Sequence, residues 1–178
     1  MRTSFTVTIA SIVILILLTS MTLFTVDQRE KAMVFRLGEI TSIKTEPGLF
    51  WKLPLIENVM FFDARTHTVD TDEPERFLTS EKKNVLVDSF IKWRISDVKQ
   101  YYISVGGDER RARDRLNKTV NDSLRAEFGK RTVYQVISGE RDEIMELMRE
   151  KVDVDARKIG VEVLDVRLKR VDLTTEIS

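Results

Sequence analysis

The stretch NVLVDSFIKWRI, Asn84 to Ile95, alternates with a period of two. Val85, Val87, Ile91, Trp93 and Ile95 fall on one side of an extended chain, and Asp88, Lys92 and Arg94 on the other. Successive side chains of a strand point to opposite faces, so this pattern specifies a strand in a sheet with one face covered. Ser96-Asp97 closes it, and Asp97 can cap a short helix through Tyr101 and Tyr102.

Beyond Gly106-Gly107 the period changes. Ala112, Leu116, Val120, Leu124 and Phe128 form a helical stripe, and Gly129 stands where a helix-ending glycine belongs. Thr132 can cap a short turn through Ile137. A second helix is predicted from about Glu140, with Ile144, Leu147, Met148, Val152, Ala156 and Ile159 as its apolar face and Gly160 as its end. Val161 to Val171 reads as a last strand, with Leu164, Val166 and Leu168 alternating with Asp165, Arg167 and Lys169. Thr174 and Glu176 then resemble the cap and first turn of another helix, cut short at Ser178.

Upstream, Lys31 to Leu37 reads as a strand with Met33, Phe35 and Leu37 on one face, and Gly38 as a turn. Asn58 to Asp63 is expected to be a buried strand partnered by Thr66 to Val69, followed by a polar turn from Asp70 to Pro74. Strands, then two helices, then a strand predict an α+β fold: helices packed on a mainly antiparallel sheet.

Residues Thr3 to Val26 carry no charge. At ~1.5 Å per residue, about 20 helical residues cross a ~30 Å hydrocarbon layer. The run exceeds a signal-peptide core and ends without a small-x-small cleavage pattern, which predicts an uncleaved anchor. The expected plan is a tail (1–4), a transmembrane anchor (5–26), a first subdomain (27–96), a second (97–173) and a helix start (174–178). Phe5, Ile9, Ile12, Ile14, Leu15, Leu18, Leu23 and Val26 are the anchor residues. Ser11, Thr19, Ser20, Thr22 and Thr25 within it suit either bonding to their own helix carbonyls or contact with another helix. Flanking charges, Arg2 against Arg29 and Lys31, nearly balance, so they set no strong orientation.

Lys plus Arg and Asp plus Glu number 29 each in 178 residues. Zero net charge gives no overall electrostatic pull toward nucleic acid or acidic lipid. Cysteine is absent, which removes disulfides, thiolate metal sites and a cysteine nucleophile. The single histidine, His67, would have to serve any Ser-His-Asp triad, and a strand-surface role suits it better. His67 with Asp70, Asp72 and Glu73 matches neither a zinc nor a calcium spacing. Arg110, Arg111, Arg113, Arg115 and Lys118 are interleaved with acids, and Glu109→Arg113 and Asp114→Lys118 have the i,i+4 spacing of a solvated helix face. No catalytic residue, metal or cofactor is expected. The most suggestive soluble feature is Leu49-Phe50-Trp51-Lys52-Leu53-Pro54-Leu55-Ile56. It suits either a loop dipping into the lipid headgroups, where Trp partitions, or the filling of a small core.

The strand ending Arg36-Leu37-Gly38, then EPGLFWKLP (Glu46 to Pro54) and Asp63-Ala64-Arg65, resembles the SPFH or band-7 family of stomatins, prohibitins, flotillins and the bacterial HflK and HflC proteins. Thr79 to Asp97 and Val166 to Ser178 look like the HflC branch. The resemblance covers nearly the whole chain. Lys151 to Gly160 is compact where that branch can carry an insertion, and the branch continues past Ser178 into a coiled-coil helix. The resemblance implies a non-enzymatic scaffold. It would pair with an HflK-like paralogue in a ring in the bacterial inner membrane, N-terminus cytoplasmic and soluble domain periplasmic, and would modulate a membrane-bound AAA+ metalloprotease of FtsH type. A lipid organiser of stomatin type is the alternative. The charged helix positions Arg111, Arg115, Lys118, Glu143, Glu146 and Glu150 are the candidates for subunit contacts.

Overall fold

A computed structural model describes residue 12 and residues 22–70, 74–139 and 141–173. The chain divides into two compact units, Met1–Ala64 and Arg65–Ser178. The strand Asn84–Ile95, expected with the first subdomain, therefore belongs to the second unit.

The first unit contains β1 (Leu23–Val26), β2 (Glu30–Arg36), β3 (Glu39–Lys44), β4 (Gly48–Trp51) and β5 (Glu57–Asp63). β1 and β4 form an antiparallel ribbon, with Leu23 opposite Trp51 and Val26 opposite Gly48. β2 lies between β3 and β5, antiparallel to both. Ala32, Met33, Val34 and Phe35 are buried in succession. A central strand covered on both faces shows a continuous apolar run, so the alternation expected for Met33, Phe35 and Leu37 does not hold. β5 is also less buried than expected: of Val59, Met60, Phe61 and Phe62, only Phe62 is buried. Its ladder partner is β2, not Thr66–Val69.

The anchor expectation is corrected at its end. Leu23 and Val26 belong to β1, and Val26 is buried. Hydropathy cannot separate an apolar helix from an apolar strand that follows it without a break. Ile12 and Thr22 are helical; Phe5, Ile9, Ile14, Leu15 and Leu18 lie outside the described residues. Among the described residues, no helix is long and apolar enough to cross a membrane.

The second unit contains β6 (His67–Asp70), β7 (Glu75–Leu78), β8 (Asn84–Ile95), α1 (Val98–Val105), α2 (Glu109–Phe128), a π-helical turn (Gln135–Gly139), α3 (Arg141–Arg157) and β9 (Val161–Leu173). β8 is the spine of an antiparallel sheet. β9 pairs along one side of it, and β6 and β7 share the other. The covered face of β8 is as read, with Ser89 added to the buried set. α2 packs beside β7 and α3 beside β9 of this sheet, and the two helices pack on each other. Their inward residues, Ala112, Leu116, Val120, Leu124 and Phe128 of α2 and Ile144, Met148, Val152 and Ala156 of α3, are all at most 2% exposed. Burying each large side chain contributes ~1.5–3 kcal/mol, so these stripes hold the unit together. The architecture is α+β.

Two details depart from the expected pattern. The β8–β9 register skips Leu164 and Lys169. Each bulge adds one residue and reverses the phase, so Val161 and Val163, then Val166 and Leu168, face the core while Leu164 is only half-buried. Gly129 caps α2 with a right-handed φ of −61°, whereas Gly160 has φ +76°. The helix start expected at Thr174 to Glu176 lies outside the described residues.

α3 is tied to β9 by a buried carboxylate. Asp153 Oδ1 accepts the Val163 N–H at 2.9 Å, and Oδ2 accepts Arg157 Nε at 2.7 Å. Replacing Asp153 with alanine leaves a buried amide without its acceptor, and is expected to lower stability by about 1–2 kcal/mol. Urea unfolding checks this, with Arg157→Ala as the milder companion, because Arg157 is exposed.

Candidate functional site

The apolar segment Leu49–Ile56 begins on β4 and continues through the turn that leads into β5. On β4 the burial alternates, with Leu49 and Trp51 outward and Gly48 and Phe50 inward. Phe50 packs beside Phe24 of β1 at a ring separation of 5.8 Å, and Phe24 meets Phe61 edge-on at 6.3 Å. Phe50 therefore serves the core, while Leu49, Trp51, Leu53, Leu55 and Ile56 are exposed. Trp51 is 68% exposed and Leu55 95%.

Leu55 also adopts φ +72°, and Leu37, in the turn after β2, adopts φ +52° and is 86% exposed. A bulky residue in the left-handed region is disfavoured, and such outliers persist where surrounding structure imposes them. Here the imposing contacts are visible. Leu37 N–H donates to the Ile56 carbonyl at 3.4 Å, and Glu57 N–H to the Leu53 carbonyl at 2.9 Å. Glu57 Oε2 accepts the Leu53 N–H at 2.8 Å, and its Oε1 accepts Arg36 Nε and Nη2 at 3.0 and 2.6 Å. The Leu53 amide and the Arg36 guanidinium hold the Glu57 carboxyl below its ordinary range. One carboxylate thus pins two turns that push two leucines into solvent beside each other. Leu37 was read as the inward end of a strand; only the leucine-glycine pair at a turn hinted otherwise.

The charged positions lie in the second unit. Arg111, Arg115 and Lys118 are exposed on α2, and Glu143, Glu146 and Glu150 are exposed on α3. They are not equally available. Glu146 is bound by Arg149 of its own helix, which lowers its pKa, and Arg111 lies 3.7 Å from Asp108. The expected Glu109–Arg113 pair forms at 3.4 Å, but among the described residues Asp114 and Lys118 form no ion pair.

His67 is not a plain strand-surface residue. Its ring stacks on buried Trp93 at 4.7 Å, and its Nδ1 lies 3.7 Å from Glu109. Asp70, weighed as a metal ligand with it, is instead held by Lys169; Asp72 and Glu73 lie outside the described residues.

The strained leucine rim on a strand-rich first unit, and the β8-centred sheet with its helices in the second, lie within the segment 24–178 that matches the SPFH domain / Band 7 family. The chain belongs to that family. Within the SPFH domain / Band 7 family it is 44% identical over 137 residues to Protein HflC of Haemophilus influenzae, covering 75% of this chain and 46% of that one. It is 34% identical over 207 residues to Protein HflC of Vibrio cholerae, covering 96% and 63%. It is 32% identical over 216 residues to Modulator of FtsH protease HflC of Escherichia coli K12, covering 96% and 64%. The chain therefore spans about half to two thirds of the length of these relatives. The 216 aligned positions exceed the 178 residues present, so the Escherichia coli relative carries inserted residues.

Proposed function

We propose that this chain is a membrane-anchored scaffold subunit that pairs with an HflK-like paralogue and modulates a membrane-bound AAA+ protease of FtsH type by limiting substrate access. It is not itself an enzyme on this reading. The supporting observation is the similarity over 96% of the chain to a relative named as a modulator of FtsH protease. Bacterial relatives with HflC in their names support a bacterial membrane location; this reading adds a cytoplasmic N-terminus and periplasmic soluble units. Exposed charges on α2 and α3 would set neighbour choice, since complementary rim charges steer association more than they add affinity. Arg115, Lys118, Glu143 and Glu150 are better suited than Glu146, whose charge is already matched. Purification of the full chain from its own membranes should recover an HflK-like protein and the protease together. Recovery of neither would favour a lipid organiser of stomatin type.

The rim Leu49, Trp51, Leu53, Leu55 and Ile56, joined by Leu37, is the membrane-interface element of this reading. Exposed apolar side chains held at a strained turn beside an apolar N-terminal run gain by entering the headgroup layer. Trp51 and Trp93 are the two tryptophans, and Trp93 is fully buried. In vesicles containing lipids brominated just below the headgroup, Trp51 emission is expected to be quenched while Trp93 remains bright. Equal emission with and without bromine would remove the rim from the membrane.

A further inference from the structure

Beside the rim, β2, β3 and β4 enclose a groove of about 190 Å³, lined by Arg36, Thr41, Ser42, Lys44, Trp51 and Glu57 among others. Its charges do not cancel. Arg36 and Glu57 neutralise each other, and the second carboxylate oxygen of Glu57 is taken by the Leu53 amide. Lys44 remains. Its ammonium sits 5.2 Å over the Phe50 ring, and among the described residues no carboxylate pairs with it. The other polar side chains there can donate. Thr41 is the extra residue of a bulge, where the register steps from Ser42 opposite Val34 to Ile40 opposite Phe35, and bulges re-aim side chains. The Thr41 and Ser42 hydroxyls line the same groove, and Trp51 brings an indole N–H.

One ammonium without a carboxylate partner, in a groove also lined by two hydroxyl residues and a tryptophan, is complementary to an oxyanion. We infer that this groove binds the phosphodiester headgroup of a phospholipid, with Lys44 as its counter-charge. The size agrees: a groove of about 190 Å³, open to solvent, has room for a phosphodiester. A lipid fits better than free phosphate because Trp51 belongs to both the groove and the exposed rim. A headgroup seated there would leave its chains beside Leu49 and Trp51. The inference rests on the interfacial reading of the rim, and its test separates the two.

The full chain, labelled with 5-fluorotryptophan in uncharged detergent micelles, gives one fluorine resonance for Trp51 and one for Trp93. Dihexanoyl phosphatidylglycerol should shift the Trp51 resonance saturably and leave Trp93 in place. Lys44→Gln should weaken that titration about fivefold, the equivalent of about 1 kcal/mol for one lysine at a lipid surface, with the Trp93 resonance reporting an intact fold. Dihexanoyl glycerol, which lacks the phosphate, should produce no saturable shift. Identical titrations of wild type and Lys44→Gln would overturn the headgroup site. So would inorganic phosphate matching the lipid at equal concentration, since the site would then take a free anion. Brominated-lipid quenching of Trp51 that survives in Lys44→Gln would show that the rim stands whether or not the groove does.

Discussion

Replacing Gly160 with alanine is expected to cost at least about 3 kcal/mol, and to leave the second unit poorly folded. Two penalties coincide. The backbone there has φ +76°, a conformation that L side chains rarely adopt. A Cβ would also lie 2.3 Å from the Asp97 carbonyl oxygen and 2.4 Å from the Tyr101 nitrogen. Those two atoms form the first backbone hydrogen bond of α1, at 3.0 Å. They cannot separate without losing it, and neither belongs to a flexible side chain that could swing aside. The Gly160 carbonyl in turn accepts the Ser96 and Asp97 N–H groups, each at 3.0 Å. The turn between α3 and β9 is therefore seated on the start of α1, whose Tyr101 and Val105 are buried. Gly129→Ala provides the contrast. Its φ is right-handed and the atom nearest an added Cβ is the Arg125 carbonyl oxygen of its own helix at 3.2 Å, so a change within about 1 kcal/mol is expected. Urea unfolding of both variants checks the pair, and a Gly160→Ala midpoint close to wild type would contradict the seating.

The two glycines look alike in sequence, each following an apolar helical stripe. What distinguishes them is a contact between residues 63 positions apart, which no local pattern encodes. The same division runs through the fold. The alternation of β8 and the stripe of α2 were legible because each has one covered face, and burial imposes the period of the element. β2 was misread because both of its faces are covered, and β5 because apolar side chains there remain exposed. β9 was legible at Val166 and Leu168, but the bulge at Leu164 reverses the phase before them without any marker in composition. Leu23 to Val26 joined the anchor in the reading because an apolar strand extends an apolar run without a break. At the candidate interface, Leu49–Ile56 was visible as an apolar tract with a tryptophan. Leu37, Arg36 and Lys44 were not, since they reach it through β2–β3 and β2–β5 pairing and a cross-strand ion pair.

The second large effect is expected at Glu127, which sits on the buried side of α2 with its side chain 4% exposed. Arg131 and Lys151 hydrogen-bond its carboxylate, and Lys130 lies 3.5 Å away. Lys151 belongs to α3, so the cluster fastens the C-terminal end of α2 to the middle of α3. The Lys151 and Arg131 hydrogen bonds outweigh the burial that opposes ionisation, and hold the carboxyl down to about 2 from an unfolded value of 4.5. A carboxylate whose pKa is lower when folded adds stability that is complete above the unfolded value and lost as pH falls through the folded one. Glu127→Gln is therefore expected to lose about 2 kcal/mol at pH 7, less than the full shift because Lys151 and Lys130 are partly exposed. The difference between variant and wild type should shrink between pH 4.5 and 2, and vanish below. Lys151→Met combined with Glu127→Gln should then cost about 1 kcal/mol less than the two single changes added together, since they remove one interaction. A gap between wild type and Glu127→Gln that stays constant from pH 7 to pH 2 would place the cost in packing instead of charge, because only the ionised form of the acid is matched to the three cations around it.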